Sequence, residues 1–145
     1  MALPLTARGT GTGRVLEKMI LPALRESGYQ LKRSVAVGIR PGGGKHVVDL
    51  VTSDDQGRSV LVSVKWQQVS GTAEQKIPYE VMCLAHALES AGKVYDVAYL
   101  VLGGKGWTLR DFYTSGGLTE YMLGTERVRI TTLEDFVAMA NRRQL

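Results

Sequence analysis

The sequence predicts an α/β domain in which one mixed sheet is flanked by helices, in the order α-β-β-β-α-β followed by a smaller α-β-α tail. Three observations carry this expectation. Apolar residues recur at helical spacing ahead of Gly28 and again after Pro78. Between these stretches lie three β-type runs separated by PGGG and DDQG, strong turn signals that make two consecutive hairpins. The run VYDVAYLVLGG is apolar almost throughout, as in a strand buried on both faces. A meander joined through a helix to such a strand needs helices to cover its faces.

The elements follow in order. Val15, Leu16, Met19, Ile20 and Leu24 form one apolar stripe on the first helix. Thr12 is placed to cap its start and Gly28 to end it, and Pro22 predicts a kink inside it. YQLKRSVAVGIR, KHVVDLVTS and RSVLVSVKWQQV are the three strands. GTAEQK reads as a loop or irregular turn. Pro78 suits a first helical turn, after which Val81, Leu84, Ala85 and Leu88 share a face. His86 on this apolar helix reads as a packing residue and Cys83 as a small core residue. TLRDFYTSGGLTEYM is helical at both ends and broken at Gly116 and Gly117. RVRITTL is a short strand and LEDFVAMANRR the final helix.

A chain of 145 residues fits a single domain over 1–145 with room for a real core. The 44% hydrophobic and 22% charged residues exclude a disordered or fibrous class. Lys and Arg exceed Asp and Glu by 18 to 14, a net +4 that permits a polyanionic partner without demanding one. One cysteine excludes an internal disulfide framework and a Cys-rich zinc site, so a reducing, cytoplasmic setting is expected. MALPLTARGTG lacks the charged start and long apolar stretch of a signal peptide. No uninterrupted apolar run is long enough to span a bilayer, so no membrane partner is expected.

Two charges stand out. Asp49 lies between Val48 and Leu50, and Lys65 between Val64 and Trp66, in runs that otherwise read as buried strand. Charges there are costly unless paired or bound to metal. Leu61, Ser63, Lys65 and Gln67 share one face of the third strand, with Val60, Val62, Val64 and Trp66 on the other. A three-residue loop, Asp55-Gln56-Gly57 with Gly57 left-handed, pairs Asp54 with Arg58 and hence Asp49 with Ser63. A two-residue loop would set Asp49 opposite Val62; the glycine's position favours the first register. Asp49, Ser63 and Lys65 then gather on one face. A carboxylate with a neighbouring backbone carbonyl offers Mg²⁺ hard oxygen ligands. Such a metal polarises a phosphate and lowers the pKa of its bound water. A lysine beside it orients that water or stabilises developing charge. The bland alternative is a structural ion pair.

With Asp49 on the second strand and Ser63-Val64-Lys65 on the third, residues 12–103 resemble the PD-(D/E)XK, or restriction-endonuclease-like, nucleases. The resemblance implies a restriction-endonuclease-like αβββαβ core and a metal-dependent DNA endonuclease, restriction-like or phage-type. It also implies Mg²⁺, with Mn²⁺ as substitute, and a homodimer whose two sites reach two DNA strands. The family's acid maps to Asp49, its lysine to Lys65 and its metal-binding carbonyl to Val64. Ser63 stands where the triplet's acid belongs, an SXK variant of the kind that recruits a glutamate from the next helix. Glu80 is preferred over Glu74, because a helix packed along the sheet can aim it at Lys65. Glu17 corresponds to the metal-proximal acid that many members carry on the first helix, and Gln67 would place an amide near the metal water. The alternatives are a Holliday-junction resolvase-like nuclease, a catalytically inactive nucleic-acid-binding module of the same fold, and a scaffold with a structural ion pair.

The remaining motifs are weaker. GIRPGGGKH fails as a phosphate loop, because the first glycine should stand at Ile39 and His46 replaces the required Ser or Thr. It reads as a hairpin tip whose Arg40, Lys45 and backbone amides face DNA phosphate, with His46 nearby. Lys105 in GGKGW belongs to a substrate-facing loop. QKIPY, Gln75 to Tyr79, imitates a QxxxY signature but follows Lys65 too closely.

Overall fold

Pro22 shapes the first helix. A proline lacks the N–H of the helical ladder, and its ring strikes the carbonyl four residues earlier, here that of Lys18. In the computed structural model, which describes residues 11–145, helix α1 is α-helical over 11–15 and opens into a π turn over Leu16–Ile20. It is α-helical again over Leu21–Glu26. The expected kink is therefore a π turn. Thr12 lies inside the helix rather than at its cap, and Met19, within the π turn, is exposed rather than part of the core stripe. Gly28 ends α1 as expected, at φ +87°. Its N–H donates to Arg25 O and that of Tyr29 to Leu24 O, a Schellman cap. Segment 1–10, on which most of the signal-peptide reading falls, lies outside the described residues.

Strands β1 (Gln30–Ile39), β2 (Lys45–Ser53), β3 (Ser59–Trp66), β4 (Val97–Gly103) and β5 (Val128–Thr132) form one sheet in that order. The β1–β2 and β2–β3 pairs are antiparallel, whereas β3–β4 and β4–β5 are parallel. A 3₁₀ turn over Thr72–Lys76 and helix α2 (Ile77–Ser90) connect β3 to β4. Helix α3 (Arg110–Thr114) precedes β5 and helix α4 (Leu133–Asn141) follows it. This is the expected mixed sheet flanked by helices. The α-β-α tail is not a separate layer, because β5 pairs directly with β4.

The sheet separates two cores. Val60, Val62 and Val64 join α1 and α4 through Leu16, Ile20, Leu24 and Phe136, while Leu61 joins α2 through Ile77, Val81 and Leu84. Burial of such side chains contributes about 1.5–3 kcal/mol each. On α2 the buried arc is filled by Val81, Cys83, Leu84, Ala87 and Leu88. That leaves His86 exposed beside Ser90, so it is not the packing residue expected from the sequence.

The second hairpin has the expected three-residue loop. Gly57 is left-handed at φ +87°, and the Asp54 N–H donates to Arg58 O at 3.1 Å. Asp54 Oδ1 also accepts from the N–H groups of Gln56 and Arg58. Leu50 then pairs with Val62 and Ser53 with Ser59, the register that carries Asp49 opposite Ser63.

Candidate active site

The β2–β3 ladder stops at Leu50 and Val62, and the strands fork there. The β1–β2 ladder also skips a pair at this level, between Arg33–Leu50 and Val35–Val48, where Ser34 is left-handed at φ +52°. Residues two apart on a regular strand share a face. Here Leu50 joins the core beneath α1 while Val48 joins the one beneath α2, so the strand rotates at Asp49. The rotation leaves Asp49 in the fork, where its Oδ2 accepts the Val64 N–H at 2.7 Å. A side chain thus replaces a ladder bond and brings a carboxylate against the main chain of Ser63-Val64-Lys65.

Glu80, in the first turn of α2, completes the cluster. Its Oε2 lies 3.1 Å from Lys65 Nζ and its Oε1 accepts from Arg40 Nη1 at 3.0 Å. Glu80 is 8% exposed. Burial opposes its ionisation, but Lys65 and Arg40 outweigh burial and hold its carboxyl below the usual carboxylate range. Asp49 is shifted the other way. Burial pushes its carboxyl up, the Val64 N–H and Lys65 pull it back, and Glu80 adds repulsion. The two acids therefore sit in opposite electrostatic situations within one cluster.

The structure brings together Asp49, Val64, Lys65 and Glu80, with Ser63 buried at the adjoining position of β3. It does not bring in Gln67 or Glu74. Gln67 donates its amide to Gly106 O at 2.7 Å and to Glu74, and makes no hydrogen bond to the Asp49 cluster among the described residues. Glu74 accepts the N–H groups of Thr108 and Leu109 at 2.6 and 2.7 Å. Burial resists its charge, but these two N–H groups prevail and its carboxyl falls below the usual range. Glu74 is thus a loop anchor. Glu17 pairs with Arg33 on an exposed surface of α1 and does not join the cluster.

The hairpin tip also differs from expectation. Arg40 turns inward to Glu80 instead of outward to phosphate, and the tip is tied to α2 by the Tyr79 hydroxyl donating to Pro41 O at 2.9 Å. His46 is 2% exposed and has no surface to offer a phosphate. Burial and the nearby Arg40 push its imidazole down, toward the neutral form. Lys45 and Lys105 remain exposed. The contact of Arg40 with Glu80 had no sequence signal, because it joins a turn to a helix forty residues away.

Whether these residues suit a cation is answered by their chemistry. The second oxygen of Asp49, Glu80 and the Val64 carbonyl are hard oxygen donors, and a buried carboxyl pushed up in pKa gains from a nearby cation. Among the described residues no group of three His, Cys, Asp or Glu side chains is gathered, so the donor set is two carboxylates and main chain. The residues fit a hard divalent ion.

A family model described as the PD-(D/E)XK nuclease superfamily domain matches residues 8–144. The chain belongs to the PD-(D/E)XK nuclease superfamily. Superfamily nucleases typically use divalent metal ions, in keeping with the oxygen donors at the fork. Two solved structures are similar at low identity. A protein of unknown function designated AF1548 is 14% identical at a TM-score of 0.48, with 78% of this chain and 54% of that chain covered. The small subunit of the heterodimeric restriction endonuclease R.BspD6I is 15% identical at a TM-score of 0.45, with 85% and 64% covered. The chain thus spans 54% and 64% of the lengths of these two chains. A search of curated proteins finds no match.

Proposed function

We propose that this superfamily member is a Mg²⁺-dependent DNA endonuclease of the SXK type, with Mn²⁺ as substitute. The observation that carries the reading is the Lys65–Glu80 pair beside Asp49 at the strand fork. Asp49, Glu80 and the Val64 carbonyl would hold the metal. When bound, a divalent ion supplies Lewis-acid polarisation of a phosphate and a more acidic water.

The chain's own residues do the rest. The Val64 N–H fixes Asp49 with one oxygen turned to the backbone and the other left for a cation. Glu80 supplies the second negative charge that Ser63 lacks. The Lys65 side chain is 39% exposed, so its ammonium can meet both Glu80 and a substrate phosphate. There it orients an attacking water or stabilises charge that develops on the phosphate oxygens. Arg40 holds Glu80 from the far side and fixes its rotamer.

Incubation with supercoiled plasmid in Mg²⁺ or Mn²⁺, repeated in EDTA, is the test. Metal-dependent nicking is expected, and intact plasmid under every metal would sink the reading. The catalytically silent binding module is favoured by one observation, that Lys65 and Arg40 already neutralise Glu80. Plasmid binding without nicking would support it. A homodimer, placing two sites on two strands, is part of the proposal and is checked by sedimentation with and without DNA.

A further inference from the structure

The carboxyl end of β3 has two sides. Lys65 faces the acidic cluster, and Trp66, the next residue, projects from the opposite face of the strand. There it lines a cleft of about 840 Å³ between α1, the loop after β4 and the start of α4. Trp66 is 37% exposed. Two glycines seat it. A Cβ at Gly103 would stand 2.8 Å from the benzo end of the ring, and one at Gly11 would strike the pyrrole end. Among the described residues the charged walls are Arg14, Lys18, Lys105 and Arg110 against one acid, Glu134. Arg14 and Lys18 stand one turn apart on α1, while Lys105 lines the cleft from the loop after β4 and Arg110 from the start of α3. Arg110 also pairs with its neighbour Asp111 at 3.6 Å, whereas Arg14, Lys18 and Lys105 have no ion pair among the described residues.

We infer that this cleft seats an unpaired stretch of DNA, with one base stacked on Trp66 and the flanking phosphates met by Arg14, Lys18 and Lys105. The inference rests on the nuclease reading and specifies its substrate as DNA with a locally single-stranded segment. An aromatic ring between basic side chains binds single strands through stacking and backbone charge together. A duplex offers no free base face to an indole inside a cleft, because its bases are already stacked. Lys65 and Trp66 are consecutive on opposite faces, so one strand wrapping the end of β3 would bring a phosphate to Lys65 while a base a few nucleotides away meets Trp66.

Tryptophan emission reads this out without catalysis. The chain has two tryptophans, and Trp107 is buried with its indole N–H donating to Gly103 O at 2.8 Å. A quench therefore reports mainly Trp66. In EDTA, a single-stranded oligo-dT of about a dozen nucleotides should quench the emission and bind more tightly than a blunt duplex of equal length. Trp66→Ala should lower single-strand affinity on the order of tenfold, and Trp66→Phe should retain most of it. The wild-type measurement stands even where the alanine variant fails to fold. No quench by oligo-dT, or a duplex bound as tightly as the single strand, would overturn the inference. So would a quench that follows protein concentration without DNA, which assigns the cleft to a second copy of the chain. Plasmid nicking in Mg²⁺ with no oligo-dT quench would refute the cleft and spare the nuclease reading. A quench with no nicking under any metal would do the reverse and keep the cleft as a strand-binding site.

Discussion

Lys65 on β3 and Glu80 on α2 form an ion pair 3.1 Å long across the face of the sheet. It joins the strand end that carries Asp49 to the helix that carries the second acid. In the proposed metal site the pair would compete with the metal, because a cation at Glu80 would have to share it with Lys65 and Arg40.

Lys65→Ala should lower turnover by about 10²–10³-fold, the usual cost of removing one positioned donor from developing charge. Metal affinity should hold or rise, since Glu80 loses a competing cation. Lys65→Arg should rescue poorly, because a planar fork does not replace a compact ammonium. Single-turnover rates and a metal titration check this, and normal turnover in Lys65→Ala would leave only a structural ion pair.

Asp49 and Glu80 should give opposite pH dependences. The folded-state carboxyl of Asp49 is raised, chiefly by burial, so the folded chain keeps that proton to higher pH than the unfolded chain. Its contribution to stability falls as pH rises from the ordinary carboxylate range through the raised folded value. Glu80 is depressed by Lys65 and Arg40 against its own burial. Its contribution is present above the ordinary carboxylate range and is lost as pH falls through the lowered folded value. Asp49→Asn should therefore raise Tm at neutral pH while abolishing cleavage. Mn²⁺ should raise the Tm of the wild type by binding the folded state, and Asp49→Asn should abolish that rise. Thermal melts across pH, with and without Mn²⁺, decide it; an Asp49→Asn variant still stabilised by Mn²⁺ would exclude Asp49 as a ligand.

Glu80→Gln and Glu74→Gln should separate site from scaffold. Glu80→Gln should remove most metal-dependent cleavage and cost about 1–3 kcal/mol, since Arg40 and Lys65 lose a partner in a part-buried position. Glu74→Gln should cost a similar amount by weakening the bonds to Thr108 and Leu109, with the metal requirement unchanged. Ser63→Glu in the Glu80→Gln background is the rescue arm, restoring charge at the triplet position. Urea melts paired with metal titrations distinguish these outcomes, and equal loss of metal dependence in both single variants would refute the choice of Glu80.

Gly104→Ala should destabilise the strand end that carries Lys65. Gly104 is left-handed at φ +93°, and a Cβ there would strike the Gln67 backbone. Gln67 N–H donates to Gly103 O at 3.0 Å and Gly106 N–H to Gln67 O at 2.8 Å, so this loop fixes the chain just past Lys65. The combined strain should cost roughly 1–3 kcal/mol, read as a lower Tm, with turnover falling as Lys65 loosens. An unchanged melt would show that the loop does not hold the strand.

Much of the fold is written locally in the chain. Alternation divided β3 into Val60, Val62 and Val64 for one core and Leu61 for the other. Gly57 fixed the hairpin register, because a left-handed residue at that place admits one common loop length, and that register carries Asp49 to Ser63. Gly28 ended α1 for the same kind of reason. These are matters of backbone sterics and side-chain period, which neighbouring residues determine. Which glutamate lies beside Lys65 was only partly of this kind: the sequence preferred Glu80 on the expectation of a helix packed along the sheet, and the docking of that helix decided it. Glu74 and Glu80 lie six residues apart, and only the packing of α2 on the sheet turns one toward Lys65 and the other toward the amides of Thr108 and Leu109. The same long-range packing buried His46, turned Arg40 inward, withdrew Gln67 to Gly106 and seated Trp66 over two distant glycines. Such contacts join residues dozens of positions apart, so their geometry depends on how helices and loops dock, which no local spacing encodes.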